Sequence, residues 1–138
     1  MISSSATSIS STEKPAVLVV EDEALIRMFA AEIAADAGFR CIEAASADEA
    51  LRKLEQDDGI GIVFTDIHMA GSMDGLQMAH LVRDRWPPVR FLIVSGHTRL
   101  APDQIPAESR FFSKPYDADD IVESLNALAR DWTNLSAH

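Results

Sequence analysis

The chain has 138 residues, 47% of them hydrophobic, and a formal net charge of -10. That length and apolar content suit one packed domain, while the acidic balance excludes the basic footprint that non-specific nucleic-acid binding needs. No stretch approaches the roughly eighteen continuous apolar residues of a membrane span, and the single cysteine, Cys41, has no partner for an internal disulfide, so a reducing, cytoplasmic setting is expected.

Residues 1–14 contain six serines, and their only apolar members are Met1, Ile2, Ala6 and Ile9. Such a segment buries too little to offset the entropy of ordering, so a disordered tail or a linker remnant is expected there. Pro15 marks the start of an ordered domain over 15–132, followed by a frayed end at 133–138. Residues 16–20 read as the first strand. Leu25, Ile26, Phe29 and Ile33 then recur at helical spacing and predict a helix over 24–37 that Gly38 stops. A second strand is expected over 39–44, with Cys41 as a packed thiol rather than a reactive one. Ala50, Leu51 and Leu54 share one face of a short helix over 48–54, with Ser46 as its cap and Glu49 at the capping-box position.

The apolar run over 60–65 is continuous rather than alternating, as in a strand covered on both faces, and it ends at Asp66. Leu76, Ala79, His80 and Val82 open a third helix that ends before Pro87 and Pro88. Residues 89–94 and 110–113 read as the fourth and fifth strands. The last helix is expected from Asp117 through Trp132, with Asp119 and Asp120 in its first turn, where the helix dipole favours acids. Between Ser95 and Phe111 lie Pro102 and Pro106 and no sustained apolar stripe. A proline in a helix interior costs ~3 kcal/mol, so this crossover is expected to hold a turn or two in place of a regular helix.

Alternating strands and helices of these lengths predict an α/β fold: a five-stranded parallel sheet of order 2-1-3-4-5, flavodoxin-like and doubly wound, with helices on both faces. Ligands and chemistry gather at the C-terminal ends of such strands. Those ends carry Glu21-Asp22-Glu23, Asp66, Ser95 and Lys114. Carboxylates brought near Asp66 repel one another unless a cation lies between them.

Five short motifs lie at these strand ends or in the loop that follows one of them: Val-Val-Glu-Asp-Glu at 19–23, Thr-Asp-Ile-His-Met at 65–69, Met-Asp-Gly at 73–75, Ser-Gly at 95–96 and Lys-Pro at 114–115. With them the chain resembles the receiver domain of bacterial two-component response regulators over residues 16–132, and in its longer loop it is similar to a subset of alphaproteobacterial receivers. The resemblance implies that Asp66 accepts a phosphoryl group from a phosphohistidine of a sensor histidine kinase. It further implies that Mg²⁺ is held by Asp22, Asp66 and the backbone carbonyl of His68, with Glu21 acting through water. Glu23 reads as an ordinary first-turn acid. Lys114 and Ser95 would meet phosphoryl oxygens, Lys114-Pro115 would be a cis step, and Phe111 would be an aromatic switch coupled to Ser95. Two departures stand out: the stretch 66–75 is one residue longer than the commonest pattern, and Ala70 stands where proline is usual. His68 and His97 follow the acceptor and the hydroxyl residue by two positions, where the family varies.

The expected function is therefore a phosphorylatable switch that performs its own phosphotransfer and dephosphorylation, mostly monomeric, signalling to a heterologous protein effector or phosphotransfer protein. The chain would be free-standing or the C-terminal receiver of a hybrid histidine kinase. An aspartyl-phosphate phosphohydrolase is the enzymatic alternative, but it needs a second acid two residues after the nucleophile, where His68 stands. A nucleotide-binding module lacks its glycine-rich loop after the first strand.

Overall fold

The computed structural model describes residues 14–96 and 102–136. Its elements are β1 (Ala16–Val20), α1 (Ala24–Asp36), β2 (Cys41–Ala44), α2 (Ala47–Gln56), β3 (Ile60–Asp66), α3 (Gly75–Arg85), β4 (Arg90–Ser95), a 3₁₀ turn (Pro102–Gln104), β5 (Arg110–Ser113) and α4 (Ala118–Ser136). The strands pair in parallel in the order β2-β1-β3-β4-β5, as the alternating pattern predicts.

The continuous apolar strands are explained by two cores, because successive side chains of a strand point to opposite faces. On one face Leu18, Val20, Val63, Phe91 and Ile93 pack with Ala50 and Leu54 of α2 and with Met78, Ala79 and Val82 of α3. On the other, Val17, Val19, Ile62, Phe64, Leu92 and Val94 pack with Ala30 and Ala34 of α1 and with Ile121, Leu125 and Leu128 of α4. Every residue of β1, β3 and β4 is buried.

Local signals act as the sequence suggests, with differences of detail. The Ser46 hydroxyl accepts from the Glu49 amide at 3.1 Å, while the Glu49 carboxylate takes the amide of Ala45, one residue further back, at 2.7 Å. Asp74 and Gln77 form a full capping box at the start of α3 that the sequence reading did not single out. Helix α4 continues beyond its expected end at Trp132 to Ser136. Its Trp132 ring lies against Gly61, where an added Cβ would stand 2.6 Å from the indole.

Among the described residues the fourth crossover holds one 3₁₀ turn and no regular helix. Side chains tie it down in place of an apolar stripe. His80 Nε2 lies 2.9 Å from the Gln104 carbonyl, Arg83 donates to the Ala107 carbonyl at 2.6 Å, and Arg90 pairs with Glu108 at 3.1 Å. His97 and the tail over 1–13 lie outside the described residues, whereas Lys14 donates to the Ala37 carbonyl at 2.8 Å and covers the Phe39 ring. Among the described residues no helix is long and apolar enough to cross a membrane.

Candidate functional site

Strand β1 runs straight into Glu21, which is only 4% exposed. The Glu21 carbonyl accepts from Arg27 Nη1 at 2.8 Å, and Arg27 Nε pairs with Glu43 at 3.1 Å, so one guanidinium ties the end of β1 to β2. The Glu21 carboxylate accepts from the Glu23 amide at 3.0 Å. Burial is the main reason that the Glu21 carboxyl is pushed up to about 7; the Glu23 amide opposes this, and the Asp22 and Asp66 carboxylates add to it. Asp22 is exposed, and its Oδ2 accepts from the Ala70 amide at 3.0 Å. That amide is the first cause holding the Asp22 carboxyl below its usual range.

Asp66 is the last residue of β3 and is nearly buried. Its Oδ1 accepts from the His68 amide at 3.3 Å and its Oδ2 from Lys114 Nζ at 2.7 Å. The same ammonium lies 3.6 Å from Glu21 Oε1. Burial works against the charge of Lys114, but Asp66 and Glu21 outweigh it and hold the ammonium above its ordinary value. Lys114 is placed by its own amide, which donates to the Ser95 carbonyl at 2.9 Å, and the Lys114-Pro115 peptide is cis. The end of β3 is also met closely by α3. A Cβ on Gly75 would collide with the Asp66 carbonyl oxygen and stand 2.9 Å from Thr65 Oγ1.

Lys114 thus joins the residues expected at the ends of β1, β3 and β5. Ser95 is buried beside Val94, the residue paired with Asp66. His68 contributes its amide to Asp66 while its side chain is exposed. Phe111 is half-buried against the α2/α3 core, and Phe112 against the opposite core with Tyr116. Glu23, read from sequence as an ordinary first-turn acid, offers a carboxylate oxygen within 4.8 Å of those of Glu21 and Asp22, and Asp66 stands outside that trio. Carboxylate oxygens alone make up this donor set, the chemistry that suits a hard divalent cation such as Mg²⁺. Sequence reasoning missed Arg27 and the Ala70 amide. Arg27 reaches a main-chain carbonyl six residues back, and the Ala70 amide a carboxylate 48 positions away, so residue type gives no signal for either.

Residues 17–126 match the family model of the response regulator receiver domain. The chain is 32% identical over 116 residues to the sensor kinase CckA of Brucella abortus, an alignment covering 81% of this chain and 12% of that protein. It is 32% identical over 111 residues to the nitrogen assimilation regulatory protein NtrX of Azorhizobium caulinodans, covering 77% of this chain and 24% of that one. The chain therefore spans a quarter or less of these relatives. The crystal structure of a response regulator receiver protein from Sinorhizobium medicae superposes with a TM-score of 0.80 at 25% identity, covering 88% of this chain and 98% of that one. With an acidic cluster at the carboxyl ends of its strands, the chain belongs to the response regulator receiver domain family.

Proposed function

We propose that the chain is a phosphorelay switch that takes a phosphoryl group from a phosphohistidine of a partner histidine kinase onto Asp66. The observation that carries this reading is the Asp66 carboxylate, set at a strand end 2.7 Å from Lys114 Nζ and beside the acidic residues that follow β1. An Asp66 oxygen attacks phosphorus, the P–N bond breaks, and the imidazole leaves with the bonding pair, giving an acyl phosphate. Hydrolysis of that anhydride returns the carboxylate and inorganic phosphate. Asp22, Asp66 and the His68 carbonyl would hold Mg²⁺, with Glu21 reaching it through water. When bound, the ion supplies positive charge at the phosphoryl oxygens. The Lys114 ammonium neutralises a further oxygen, and the Ser95 hydroxyl donates to another, an electrostatic clamp suited to phosphoryl transfer.

Phosphorylation then draws Ser95 toward the site and lets Phe111 turn inward, a shift between pre-existing states. The output is a mostly monomeric regulator that binds a different protein. The alignment with a protein named as a sensor kinase supports a second context, the receiver of a longer kinase, with the same chemistry. The test is exposure to a small phosphodonor such as acetyl phosphate with Mg²⁺, followed by intact mass. The native chain is expected to gain one phosphoryl group and Asp66→Asn none; a phosphorylated Asp66→Asn protein overturns the assignment. In the phosphorylated sample, sedimentation as a tight dimer or an unchanged Phe111 ring resonance would defeat the output half of the reading.

A further inference from the structure

The loop between β3 and α3 is held at several points. The Ile67 amide donates to the Val94 carbonyl at 3.0 Å, and the Gly75 amide to the Ile67 carbonyl at 2.8 Å. The Ser72 hydroxyl bonds both carboxylate oxygens of Asp48, at 3.2 and 3.3 Å. Between these anchors the Ala70 N–H points at Asp22 Oδ2 from 3.0 Å. Asp22 is exposed, so its side chain has rotamer freedom to lose when it takes up an ion. A proline at position 70 has no N–H and could not make this bond.

We propose that the Ala70 amide is a positioning group for the metal site: it holds Oδ2 of Asp22 and so orients the carboxylate toward the divalent ion. This rests on the reading of Asp22 as a ligand. The ordering cost of the carboxylate is then met by the folded loop instead of by ion binding, which is the effect of preorganisation on affinity. The residue that departs from the common pattern of the family is the one that supplies the donor.

Titration calorimetry with Mg²⁺ alone tests this. Ala70→Pro is expected to weaken Mg²⁺ about fivefold, an effect on the order of freezing one side chain, with little change in the melting temperature of the metal-free protein. Ala70→Gly keeps the N–H and is expected to stay within about twofold of the native affinity, since only the donor matters to Asp22. Independently of any proline, Asp22→Ala should shift the Ala70 amide proton upfield and speed its exchange with solvent. Unchanged or tighter Mg²⁺ binding by Ala70→Pro, an equal loss in Ala70→Gly, or an Ala70 amide indifferent to Asp22→Ala each overturns the proposal. Asp22→Asn separates the two layers. If it too leaves Mg²⁺ affinity unchanged, the ligand reading fails and the amide's role with it. If it weakens binding while Ala70→Pro does not, only the amide's role fails.

Discussion

On β2, Cys41 is half-buried, and burial, helped by Glu43, pushes its thiol up to about 11. A raised acid pKa means that the native state favours the neutral thiol. Its contribution to stability is constant below the ordinary thiol range and is lost as pH rises from there toward 11. Because the thiolate is the reactive form, alkylation by iodoacetamide at pH 8 should run on the order of 100-fold slower in the native protein than in the unfolded chain. Mass spectrometry over time measures this, and equal rates would contradict it. At this scale the acids and the lysine were legible in the sequence because each stands directly after an apolar strand. Arg27 and Ala70 were not, since what they bond is a carbonyl in one case and a carboxylate 48 positions away in the other. Asp22 could be named from its place after β1, but nothing in its neighbours told which amide would hold it.

The elements were legible in number, order and kind because alternating apolar runs and helical spacings survive any tertiary detail. Which face of a helix is buried was less so. Spacing marks Leu25, Ile26, Phe29 and Ile33 as the apolar stripe of α1, yet Ala30 and Ala34 are the residues buried on the sheet, while Leu25 and Phe29 are 69% and 65% exposed. Small side chains let the helix lie close to β1 and β2, and periodicity cannot weigh closeness against bulk. The same closeness makes Gly75 the critical first residue of α3. Gly75→Ala would drive a methyl group into the Asp66 carbonyl, and overpacking of this kind costs about 1–3 kcal/mol. Urea denaturation should show a lower midpoint with an unchanged slope. An unaltered midpoint would mean that α3 can back away freely. Among the described residues of the fourth crossover there is no regular helix, as its prolines suggest, but the three side chains from α3 and β4 that hold it there left no local sign.

At the scale of the molecule, the exposed side chains of α1 lie together on one face. Leu25, Met28 and Phe29 form an apolar ridge beside a hollow of about 420 Å³ lined by Ile26, Phe29, Lys114, Pro115 and Tyr116. Lys114 is both a wall of that hollow and a partner of Asp66, so the hollow adjoins the acceptor. If this is the kinase's seat, Phe29→Asp should cut phosphotransfer from the partner kinase at least about tenfold, as loss of a buried aromatic anchor does. Uptake from acetyl phosphate should be unchanged. Equal losses from both donors would show damage to the site instead of to docking.

The Lys114–Asp66 bond also joins residues 48 positions apart, and β5, which delivers Lys114, is a four-residue strand at the sheet's edge that pairs with β4. No local segment can assemble an acceptor, a lysine and an acidic cluster on its own. A chain whose edge strand has opened carries Lys114 away from Asp66. On the proposed reading, such a chain would be silent rather than permanently active. Competence to receive a phosphoryl group would thereby be tied to completion of the fold, and misfolded copies would drop out without any separate means of recognising them.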